Sequence, residues 1–236
     1  MTSQLHQIAE HCKRFALRDT LAVYEPIDER RVKQIGSGIL FRHRERHLFV
    51  TAAHALYGHG GDENPADKAI FLEGSGLRQI GDLRRGEIGR AKLIDLAAVE
   101  VDGLPAERGF PMSCLPLEVS KPAYVTICGY LARDFKRHAQ TLSPQPFIHT
   151  AGAVAVEGDW VGIKYEKNRN RNTKTGARVM APIPAGVSGG PMLDGEALLR
   201  SVVSIVAVFT DKPAEKGFAF GEASPKVRAL LDAMIE

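Results

Sequence analysis

Gly186–Val187–Ser188–Gly189–Gly190–Pro191 places three glycines around one hydroxyl. Acyl transfer needs a nucleophilic hydroxyl together with backbone N–H groups aimed at the developing oxyanion. Flanking glycines open backbone conformations closed to other residues and let a substrate approach closely. On this basis Ser188 is the candidate nucleophile, and the N–H groups of Gly186 and Ser188 the candidate oxyanion hole. The plain alternative is a glycine-rich turn between two strands. Upstream, Phe49–Val50–Thr51–Ala52–Ala53–His54 runs an apolar strand into two small residues and a histidine. A general base must sit on a rigid element with its ring free to reach the nucleophile. Between the two, Asp95 heads the apolar run Leu96–Val101. A carboxylate there is tolerated if it accepts a bond from an imidazole N–H, which would fix the tautomer of His54. Asp102 is the rival candidate, but it precedes Gly103 and reads as a turn residue.

Many short strands must position these groups. From about residue 20 to 222, segments such as LAVYEPI, GSGILFR, RHLFVTAA, AIFLEG, LRQIGDL, AYVTICGY, AGAVAVEG, ALLRSVVSIVAVF and GFAFGE are rich in β-branched and aromatic residues. This pattern predicts an all-β sandwich or barrel. Residues 104–122 hold four prolines and read as a crossover between two halves. Residues 3–17 carry Leu5, Ile8, Ala9, Cys12, Phe15 and Ala16 near one face and predict a short amphipathic helix. At the other end, Ser224 as N-cap, Pro225 at the first helical position and the stripe Val227, Leu230, Leu231, Met234 predict a closing helix.

The order His54, Asp95, Ser188, with TAAH, DLAAVEV and GVSGGP around them, resembles the trypsin-like serine proteases of the chymotrypsin fold. The resemblance covers roughly residues 20–225. It implies two six-stranded antiparallel β-barrels with a C-terminal helix and a short N-terminal helix. It divides the chain into an extension over 1–19, a first lobe over 20–115 with His54 and Asp95, a second lobe over 116–223 with Ser188, and a helix over 224–236. It also implies an endopeptidase that works through an acyl-enzyme, with a polypeptide substrate and no metal or cofactor. GSGILF and KGFAFGEAS resemble more closely the bacterial high-temperature-requirement branch, here as a protease core without a PDZ domain.

Two departures bear on mechanism. Secreted trypsins carry an aspartate at position 187, which binds the N-terminus freed by zymogen cleavage; valine cannot form that ion pair. Activation by such cleavage is therefore not expected, and packing, self-association or a protein partner must order the oxyanion loop. By the same resemblance the primary pocket lies between Pro182, Ile183 and Pro184 on one side and Val206, Ala207, Val208 and Phe209 on the other. No carboxylate stands there, so a small or apolar P1 residue is expected. Lys164–Arg178, with six basic residues and one acidic, reads as a solvated loop.

Composition sets the outer bounds. The chain has 236 residues, 44% hydrophobic and 25% charged, with a net charge of +3. That balance does not call for a nucleic-acid partner. Cys12, Cys114 and Cys128 fit no disulfide framework or zinc pattern. Residues 1–20 have no apolar signal core, and no run of about 20 apolar residues exists to cross a membrane. The expectation is a cytoplasmic protein with reduced thiols. A partner-gated effector and a non-catalytic binding module on the same fold remain the competing functions.

Overall fold

The computed structural model describes residues 2–72, 76–85, 88–90, 94–132, 134–136, 144–157, 159–165, 170–172, 175, 177–180, 184–210 and 217–236. The first lobe is built from β1 (Thr20–Pro26), β2 (Arg31–His43), β3 (Arg46–Ala52), β4 (Ala69–Leu72), β5 (Gly76–Gln79), β6 (Gly89–Arg90), β7 (Leu96–Val101) and β8 (Phe110–Pro111). The second half supplies β9 (Tyr124–Tyr130), β10 (Asp134–Lys136), β11 (Pro146–Glu157), β12 (Trp160–Lys164), the hairpin β13 (Asn170–Arg171) and β14 (Arg178–Val179), then β15 (Pro191–Asp194), β16 (Ile205–Phe209) and β17 (Phe218–Ala223). Helices are α1 (Thr2–Phe15), α2 (Ala53–Tyr57), α3 (Ile80–Leu83), α4 (Gly195–Leu199) and α5 (Ser224–Ile235).

One closed six-stranded antiparallel barrel is present, in the order β11-β12-β17-β16-β15-β9. The first lobe departs from the expected second six-stranded barrel. It is a nine-stranded sheet whose path β5-β4-β1-β2-β3-β7-β6 does not close among the described residues, with β8 and β10 joined to β2. The two added strands attach to β2, which at 13 residues outlasts its neighbours on both edges. β1 covers Val32–Ile39 on one edge, and Phe41–Arg42 beyond it take β8 in parallel. β3 covers Gly38–His43 on the other, and Arg31–Lys33 take β10, a strand contributed by the second half of the chain.

Alternation along the strands sorts side chains into separate cores. One cluster, with Val23, Leu40, Phe49, Ile70, Ala97 and Val99, fills the first lobe. A second, with Val125, Ile127, Val161, Met192 and Phe209, fills the barrel. The largest lies between the lobes and joins Ile39, Phe41, Leu48 and Val50 to Cys128, Ile205 and Val208 and to the two terminal helices. Each such fully buried aliphatic or aromatic side chain contributes roughly 2 kcal/mol.

Two local expectations change. The ALL segment read as strand is the helical turn α4, because the Asp194 carboxylate accepts bonds from the N–H groups of Glu196 and Ala197. Ser224 does not cap α5. Its hydroxyl donates instead to the Pro116 carbonyl at 2.8 Å, tying the closing helix to the crossover.

Candidate active site

His54 sits at the second position of α2, just after β3 ends. Asp95 stands one residue before β7, the strand that pairs with β3 in the register Ala52↔Leu96. Neighbouring strand ends thus bring the two side chains together. His54 Nδ1 lies 2.6 Å from Asp95 Oδ2, and the His54 backbone N–H donates to Asp95 Oδ1 at 3.0 Å. The Ala53 N–H donates to the Asp95 carbonyl at 3.1 Å. With Asp95 Oδ2 as acceptor, Nδ1 carries a proton and Nε2 of a neutral ring is left as the basic nitrogen. Asp102, the rival, is exposed and faces Arg85 at 3.6 Å.

Ser188 lies between two tight turns. The Val187 N–H donates to the Pro184 carbonyl at 3.0 Å, and the Gly190 N–H to the Val187 carbonyl at 2.8 Å. β16 flanks the turn through its backbone, with Gly189 N–H to Phe209 carbonyl at 2.6 Å and Phe209 N–H to Gly190 carbonyl at 2.9 Å. Gly189 has φ +91°, and a Cβ there would stand 1.9 Å from the Ser37 carbonyl oxygen and 2.9 Å from the Ala52 nitrogen. Only glycine fits. This close approach sets the Ser188 turn against the end of β3, two residues before His54. The Ser188 carbonyl accepts the Ser37 N–H at 2.7 Å. Among the described residues, the N–H groups of Gly186 and Ser188 have no acceptor, and the Ser188 hydroxyl makes no hydrogen bond. In ligand-free sites, bonds between nucleophile and base are often long and tighten only with substrate.

The expected pocket residues divide. Pro182 and Ile183 lie outside the described residues. Val206, Ala207 and Phe209 are buried in the barrel core, and Val208 in the core between the lobes. The parts of the 164–178 loop that are described include β13 and the start of β14, paired as a hairpin. Among the described residues no group of three or more His, Cys, Asp or Glu converges as a metal site. All three cysteines are free thiols.

Several residues around the site were not singled out in the sequence. Glu222, fully buried on β17, accepts the Asp95 N–H at 3.3 Å and the Lys226 ammonium at 2.9 Å. Lys226 in turn lies 4.7 Å above the Trp160 ring. A lone acid between Gly221 and Ala223 in an apolar strand was the available signal. The His59 ring stacks on His54, with centroids 4.9 Å apart and planes 9° from parallel. Its loop is closed by Glu63, whose N–H donates to the Tyr57 carbonyl and whose carboxylate binds buried Lys68. That hydrogen bond from Lys68 holds the Glu63 carboxyl below the usual carboxylate range.

A closed antiparallel barrel with Ser188 beside its β15, next to a second, largely antiparallel sheet that carries His54 and Asp95, makes a chymotrypsin-like fold. No family model matches the chain, and no curated protein matches it. Solved structures do match. One of them, a Glu endopeptidase in complex with MPD, superposes with a TM-score of 0.55 at 11% identity, covering 92% of this chain and 90% of its own.

Proposed function

We propose that this protein is a serine endopeptidase. The observation that carries the proposal is the carboxylate-held imidazole: Asp95 fixes both the ring nitrogen and the backbone N–H of His54, beside a serine turn with two unpaired N–H groups. In the proposed reaction Ser188 Oγ attacks the scissile carbonyl carbon while His54 Nε2 takes its proton. Asp95 stabilises the imidazolium that forms. The N–H groups of Gly186 and Ser188 receive the oxyanion. His54 then protonates the leaving amine, and an acyl-enzyme remains on Ser188. Water, deprotonated by His54, releases the acid and restores the serine.

A small or apolar P1 residue is the proposed preference, supported by a sequence without a carboxylate at positions 182–184 and 206–209. The Gly36–Ser37–Gly38 strand and the Phe218–Ala223 strand support a kinship with the high-temperature-requirement branch. Three free thiols support a reducing compartment. Among the described residues no helix is long and apolar enough to cross a membrane. The Ser188 hydroxyl, not bonded to His54, favours a second reading in which a partner or self-association completes the site.

The test is labelling with a fluorophosphonate probe beside a Ser188→Ala control. The expected result is labelling of the wild type alone. If the wild type stays unlabelled, constitutive activity is ruled out, and repeating the assay across protein concentrations and candidate partners separates a gated protease from a binding module.

A further inference from the structure

The oxyanion loop lacks the aspartate that an N-terminal ion pair would hold, and Val187 is instead fully buried in the barrel core. We infer that Gln34 and Ser37, both on β2 of the first lobe, are positioning residues that replace that ion pair by clamping the Gly186–Val187 peptide; this rests on the serine endopeptidase reading. The Gly186 carbonyl accepts from Ser37 Oγ at 2.8 Å and from Gln34 Nε2 at 3.1 Å. Ser37 Oγ accepts the Tyr130 N–H at 2.9 Å, so its single proton is committed to Gly186. Gln34 Nε2 also reaches the carbonyls of Tyr130 at 2.8 Å and Gly36 at 3.0 Å. Three carbonyl oxygens around one atom require the NH₂ end of the amide there.

Peptide planarity gives the clamp its effect. In a trans peptide the C=O and the N–H point in opposite directions. The Gly186 N–H belongs to the peptide of the Ala185 carbonyl, which accepts the Ala132 N–H at 2.7 Å. The Ser188 N–H belongs to the peptide of the Val187 carbonyl, which accepts the Gly190 N–H. The clamped Gly186–Val187 peptide joins these two planes, so the bonds from Gln34 and Ser37 fix the backbone from which both donors project, while the Ala132 and Gly190 N–H groups hold the flanking planes themselves. Gly186, at φ +83°, packs so closely on Ala132 and Gln34 that a Cβ would lie 2.4 Å from the Ala132 nitrogen and 2.9 Å from Gln34 Nε2. Gln34 is itself fully buried, and among the described residues its Oε1 has no hydrogen-bond partner. Replacing it by methionine, of similar volume, removes the clamp and an unsatisfied atom together.

The experiment compares wild type, Ser37→Ala and Gln34→Met by fluorophosphonate labelling kinetics and by hydrogen exchange over residues 184–190. The expected result is a maximal labelling rate about tenfold lower in each variant, with probe affinity unchanged, since loss of a whole oxyanion donor costs roughly a hundredfold or more. Exchange over 184–190 should quicken while the melting temperature of Gln34→Met holds. Wild-type labelling rates in both variants, or unchanged exchange, would overturn the clamp. A wild type that is never labelled at any protein concentration or with any candidate partner, with exchange that still quickens in the variants, would sink the endopeptidase reading and leave the clamp standing.

Discussion

Asp95 holds four bonds within one residue. Its two carboxylate oxygens take the ring and the backbone N–H of His54, its carbonyl takes Ala53, and its N–H reaches Glu222. Asp95→Asn should therefore lower the fluorophosphonate labelling rate by about 10⁴-fold, the loss known for this change in the trypsin-type triad, because an amide favours the wrong histidine tautomer. Rates measured at pH 8 beside a melting curve separate that loss from simple unfolding. The three residues proposed for the chemistry could be picked out in the sequence because the strand ends and glycines beside them are local. Glu222, Gln34 and Ser37 were not, because each acts through a partner 127 to 152 positions away along the chain. No local pattern encodes such a distance.

The strand β11 offers a test at the level of elements. His149 lies among Phe147 and Tyr165, its ring 4.8 Å from that of Tyr165. Burial lowers its pKa, and the weaker opposing influence is a 3.4 Å contact with the Lys164 carbonyl. A histidine whose folded pKa is depressed binds its proton more readily when unfolded, so its stabilising effect is present above about pH 6.5 and is lost as pH falls further. Melting temperatures taken from pH 7 to pH 5 should drop less in His149→Phe than in the wild type. Equal slopes would show that another group sets the acid sensitivity. Most strands could be read from their β-branched runs, but α4 could not, since one N-cap carboxylate at Asp194 redirects an apolar segment into a helical turn.

At the scale of the molecule, both terminal helices belong to the core between the lobes. Ile8 on α1 is fully buried there, close to the barrel and α4. Ile8→Ala should cost about 3 kcal/mol, read as a lower denaturant midpoint at constant slope. A midpoint equal to the wild type would mean that α1 is only loosely docked. A closed six-stranded barrel was foreseen, but the nine-stranded sheet beside it was not. Its extra strand β10 arrives from beyond the crossover, and sequence spacing gives no sign of which edge of a long strand a distant segment will find.

The placement of α5 also governs how the chain can be made. Val227, Leu230 and Leu231 share one apolar cluster with Leu48, Val50, Leu96 and Ala98 of the first lobe, and Arg46 Nη2 and Nη1 donate to the carbonyls of Met234 and Ile235. A nascent polypeptide is released from its N-terminal end first, and domains generally fold as they emerge. Here the earliest strands to leave the ribosome wait for Ser224–Ile235 before their apolar face is sealed, and the edge of β2 waits for Asp134–Lys136. Until Asp134–Lys136 have emerged that half of the protein is an unfinished sheet with an open edge, the state in which a chaperone has most to bind.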